Sequence, residues 1–207
     1  MTRAPRFLLP IGAFLCLAGP LAAQSSSDGY AFLKAVRDGD GTKVQEVANN
    51  PSSPAINARD PRTGESALHI LVKTRNLGWI AFLLARGARP DIIDNDGATP
   101  LALAAQLGWI EGAAQLLAGR ASVDLPNRRG ETPLILAVQA RQVPLQERIA
   151  IVRLLLSQGA DPTKQDSFAG SSALDYARQD TRAPDLVRVL ETERRQRPAA
   201  AAFGPNP

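Results

Sequence analysis

The chain has 207 residues, a formal net charge of +4 and a single cysteine, Cys16. Two of its 24 basic residues lie within the first six positions and three lie between 194 and 197, so residues 24–193 carry 19 basic against 20 acidic groups. A near-neutral body with interspersed signs has no footprint for phosphate-backbone binding, and one histidine with no thiol beyond position 16 leaves no inventory for a zinc site or a nucleophilic triad.

At the amino terminus Arg3 and Arg6 precede the apolar run Phe7–Leu17, and Leu21-Ala22-Ala23 precedes the polar Gln24-Ser25-Ser26-Ser27. This order reads as a secretory signal peptide over residues 1–23, cut near Ala23. The run is broken by Pro10 and Gly12 and is shorter than the about 20 residues of a spanning helix, so no stable membrane insertion is expected after cleavage. Ala13-Phe14-Leu15 lack the small residue that lipid attachment at Cys16 would need directly ahead of it. Export without any remaining cysteine fits a periplasmic or secreted bacterial protein.

Ser25–Asp28 reads as a polar leader, and Tyr30–Asn50 as a first helical pair. In that pair Phe32, Ala35, Val36, Val44 and Val47 face inward, Gly39 divides the helices, and Lys34, Arg37, Lys43 and Glu46 are solvated. Asn50-Pro51-Ser52-Ser53-Pro54 is expected to be a loop.

From residue 60 a pattern recurs. Gly64-Glu65-Ser66-Ala67-Leu68-His69 is followed by Gly97-Ala98-Thr99-Pro100-Leu101 and by Gly130-Glu131-Thr132-Pro133-Leu134, with the leucines 33 residues apart. Thr99 and Thr132 are placed to cap a helix whose first position is proline. Leu101, Ala104 and Ala105 form one apolar stripe. Gly108 ends that helix and Ile110–Leu117 forms a second. Gly87 and Gly159 supply a left-handed residue after the second helix, but the equivalent position is Arg120, so either Gly119 takes that role or the turn is strained. The step from Leu134 to Leu174 is 40. Most of the excess lies between Ala140 and Ile151, where Pro144 can start the second helix early; the insertion is either a lengthened helix with a longer loop or a functional protrusion. Ser171–Leu190 keeps Leu174, Ala177, Val189 and Leu190, Pro198 ends its helix, and residues 194–207 are expected to be a disordered tail.

These phased elements resemble the ankyrin repeat family over nearly all of the chain after residue 27. The resemblance implies an all-α solenoid of helix-turn-helix units linked by β-turn fingers. Its repeats fall at about 28–59, 60–93, 94–125, 126–165 and 166–193, the first and last acting as caps. His69 stands where the family usually has histidine, and its expected role is to tie turn to helix. Trp79 is expected to pack between repeats. Asp91, Asp94 and Asp96 lack the spacing of a calcium loop and are expected to shape a turn. Family partners generally dock across the concave surface made by the turns and first helices. Carried onto this chain, that implies contacts at Arg62, Lys73, Asp96, Gln106, Trp109, Arg128, Arg129 and Gln139, with Trp109 open to a packing role instead. The function so implied is a non-enzymatic protein–protein interaction module in the bacterial envelope, monomeric and without cofactor, nucleic acid or membrane insertion. The alternative is an inhibitor or immunity protein for a periplasmic enzyme or toxin. A hydrolase built on Asp94 and Asp96 would need a pocket that such solenoids rarely enclose.

Overall fold

The computed structural model describes residues 21–50 and 53–196, with the side chains of 28–50 and 53–192. Most of the expected signal segment (residues 1–20), Pro51-Ser52 and residues 197–207 lie outside the described residues. Among the described residues the helices come in five antiparallel-type pairs: α1 (Leu21–Asp38) with α2 (Gly41–Ala48), α3 (Ala67–Lys73) with α4 (Leu77–Ala85), α5 (Pro100–Gln106) with α6 (Ile110–Ala118), α7 (Pro133–Gln139) with α8 (Leu145–Ser157), and α9 (Ala173–Gln179) with α10 (Pro184–Gln196). The first helices stack in the order α1, α3, α5, α7, α9, and behind them α4, α6, α8 and α10 stack in a second layer. The described residues form no sheet, and their one isolated β-bridge joins Gln165 to Ser172.

Each inner helix starts where its cap residue dictates. Thr99 Oγ1 accepts the Ala102 amide at 3.1 Å and Thr132 Oγ1 accepts the Ile135 amide at 3.3 Å. The prolines that follow occupy the first helical position, where their missing N–H costs nothing. Leu101, Ala104 and Ala105 are completely buried, and the small alanines let α5 lie close against its neighbours. Trp79 packs edge-to-face on Phe82, with ring centroids 5.0 Å apart, and its ring lies against Gly41 of the first pair, as a contact between repeats should.

Several expectations are revised. The strained alternative holds at the end of α6: Arg120 adopts φ +65° while Gly119 sits at φ −79°. Gly119 instead lies against Leu84, whose side chain would have to shift to admit a Cβ, 2.7 Å from Cδ1. Helix α1 begins at Leu21, so the polar leader Ser25–Asp28 is part of the first helix. Helix α10 continues to Gln196, three residues past the expected edge of the repeat domain. The loop after the first pair contains a 3₁₀ turn at Pro54–Asn57, opened by Ser53 Oγ accepting the Ala55 amide, and it buries Ala55 and Ile56.

The insertion is folded into the array. Helix α8 has 13 residues where α4 and α6 have nine, with Pro144 at its N-cap. Val143 is buried against Gly108 of the preceding pair, and Arg148 is buried between α7 and the end of α9. A protruding loop is thereby replaced by an extra helical turn that packs.

Candidate partner-binding surface

The residues between repeats form four fingers, each built on one side chain that turns back on its own backbone. Asp60 Oδ1 accepts the Arg62 and Thr63 amides, Asp94 Oδ1 those of Asp96 and Ala98, Asn127 Oδ1 those of Arg129 and Glu131, and Asp166 Oδ1 those of Phe168 and Ala169, all between 2.6 and 3.1 Å. An acceptor at that position closes the turn without help from a sheet. Arg37 hydrogen-bonds to Asp60 and holds its carboxyl down at about 2.

Each finger also touches the next. The amide of Asn95 donates to Thr63 O at 3.0 Å, that of Arg128 to Asp96 O at 3.0 Å, and that of Ser167 to Arg129 O at 2.8 Å. Gly97 and Gly130 make this approach possible. Both have φ near +80°, and a Cβ on either would lie 2.7 Å or less from the amide nitrogen of the neighbouring finger.

His69 fixes finger to helix as expected. Its Nδ1 accepts the Ser66 amide at 3.1 Å, so the ring proton is on Nε2, which donates to Ala98 O at 3.0 Å. One imidazole thus joins the start of α3 to the following finger, and burial holds its pKa below the ordinary value.

The fingers and inner helices enclose an open groove of about 730 Å³. Six of the eight sequence-predicted contacts line it: Arg62, Lys73, Asp96, Gln106, Arg128 and Arg129. Leu103 and Leu136 supply an apolar floor. Lys73 is ion-paired with Glu65, and the Arg129 guanidinium engages Glu131 through Nε at 3.0 Å and Nη2 at 2.8 Å. Arg62, Asp96 and Arg128 are exposed and make no ion pair among the described residues.

The other two positions do not belong to this surface. Trp109 is only 6% exposed; it caps the start of α6 and folds its ring over Gly112, where any Cβ would collide with it. The missing side chain of Gly112 makes the space that draws the indole inward, so Trp109 is core. Gln139, half-buried at the end of α7, does not line the groove. Asp94 serves its own turn, and among the described residues no three His, Cys, Asp or Glu side chains cluster as metal ligands.

The residue that sequence reasoning missed is Phe168, 91% exposed in the fourth finger. The signal was present as an aromatic residue inside an Asp-Ser-Phe-Ala-Gly turn carrying one residue more than the period.

A family model described as ankyrin repeats, in three copies, matches residues 23–125 and 76–166. The two matches together cover well over half of the chain.

Proposed function

Since the chain belongs to the ankyrin repeat family, whose repeats are generally protein–protein interaction modules, we propose that it binds a partner protein along the concave groove and performs no catalysis. The observation that carries this reading is the convergence of Arg62, Lys73, Asp96, Gln106, Arg128 and Arg129 on one open groove over a scaffold stiffened from beneath. Binding groups held on stiff backbone lose little freedom when a partner docks. The groove is bordered by exposed side chains from three successive fingers, a spread that suits a protein surface.

We place the module in the bacterial envelope as a monomer. The support for export is the order of Arg3, Arg6, the apolar run and Leu21-Ala22-Ala23. Removal of residues 1–23 would leave the packed part of α1 intact, because the buried hydrophobic side chains of α1 among the described residues begin at Phe32. Among the described residues no helix is long and apolar enough to cross a membrane.

The test is affinity capture from envelope extract with the native chain beside a variant carrying Arg62→Glu, Gln106→Ala and Arg128→Glu. These residues are exposed, so the fold should persist. A protein held by the native chain and lost by the variant is the expected outcome. Retention of the same proteins by both would remove the groove from consideration.

A further inference from the structure

Phe168 is the most exposed large apolar side chain among the described residues, and its backbone is held by hydrogen bonds. Asp166, itself buried, accepts the Phe168 amide at 2.8 Å, the Ala169 amide at 2.6 Å and the Tyr176 hydroxyl at 2.8 Å. The preceding Ser167 amide is bonded to Arg129 O, so the ring follows directly on from the groove's last finger. A disordered loop would let an aromatic ring collapse onto nearby apolar surface; this turn holds it out in water. Rigid aromatic side chains presented in this way are strong anchors at interfaces, because little freedom is lost when they enter a recess.

The finger-to-finger bonds also fix an order. From the amino-terminal end the exposed tips without an ion-pair partner read Arg62, Asp96, Arg128, and the row ends with Phe168. We infer that the partner protein is read in this register. It presents a carboxylate, a cation and a carboxylate in sequence along the groove, and beyond them an apolar recess that receives Phe168. The inference rests on the protein-binding reading of the groove and adds to it the chemistry of the partner and a fourth anchor outside the groove lining. Charge complementarity selects this occupant. A uniformly acidic or basic surface would oppose at least one of the three tips, whereas an alternating one satisfies all of them.

The test uses the photoreactive residue p-benzoylphenylalanine, placed singly at position 168, 106 or 30 of the full chain in the cells that express it. Position 30 is a control, since Tyr30 is 57% exposed but lies at the other end of the array. Illumination should join position 168 to a partner segment of apolar residues flanked by Asp or Glu, identified by sequencing the joined peptide. Adding Arg128→Glu should lower that yield about tenfold or more. The same partner should be joined from position 106 and not from position 30. Joining from 106 without 168 leaves the groove reading standing and overturns the anchor. A joined segment lacking apolar residues or acidic flanks, or equal joining from position 30, also overturns it. Joining from neither 168 nor 106 removes the groove reading along with the inference.

Discussion

His69 concentrates on one ring the connection between helix and finger that the sequence pattern implied. Burial disfavours the charged imidazole, so the folded chain holds this proton less tightly than the unfolded chain. The stability that depends on His69 is therefore complete above its ordinary value of 6.5, declines as the pH falls below it, and levels off beneath the lowered folded value. The thermal midpoint should fall between about pH 7 and about pH 5, and His69→Gln, which does not titrate, should flatten that part of the profile. Parallel profiles for the two chains would show that other groups govern the window. Asp60, held at about 2, keeps its stabilisation throughout this window and loses it only as the pH falls from its ordinary value of 3.8 toward about 2. The role of His69 was legible because its partners lie at fixed offsets within the repeat. Trp109 stayed open between contact and packing for the opposite reason: its fate is decided by the missing side chain of Gly112, which the spacing of the repeat does not weigh.

At the scale of elements, the insertion shows what length alone conveys. Counting residues located it between Ala140 and Ile151 and tied it to an early start of α8, and the helix does begin there. Counting did not reveal that the added turn sets Arg148 beside Asp180, 32 residues away, with both side chains about 5% exposed. Nothing periodic marks such a pair. Arg148 Nη1 and Nη2 each lie 3.0 Å from Asp180 Oδ2, Nη2 also donates to Val138 O, and buried Nε has no partner among the described residues. Removing one member leaves a buried charge uncompensated, so Asp180→Ala should destabilise the chain by about 3–5 kcal/mol in urea unfolding. The double change Arg148→Met with Asp180→Leu should cost less than Asp180→Ala alone, because the pair carries its own desolvation and an unsatisfied nitrogen. If the double variant is the less stable of the two, the pair contributes more than packing can replace.

Over the whole molecule, each helix pair packs chiefly on its sequence neighbours. Stability in such an array is a sum of local terms and interfaces, and the end units have one interface each. Amide hydrogen exchange should therefore be slowest in α5 and α6, faster in α3 and α7, and fastest in the end pairs, α1 with α2 and α9 with α10. Uniform protection along the chain would mean that the array opens only as a unit. The stacked architecture was legible from the 33-residue step, whereas the direction in which Phe168 points was not, since an extra residue in a turn can be absorbed either inward or outward.

Three bonds between fingers are formed by main-chain atoms: Thr63 O, Asp96 O and Arg129 O receive amides, and the side chains of Arg62, Asp96, Arg128 and Phe168 take no part in them, while Asn95 adds a side-chain bond to Arg62 O at 2.7 Å. Every residue type except proline supplies the same amide and carbonyl. The surface that meets a partner can therefore be rewritten one substitution at a time while the joints beneath it survive. Descendants of this chain can change allegiance without passing through an unfolded ancestor, and an engineer can redirect it by choosing a few letters at the tips.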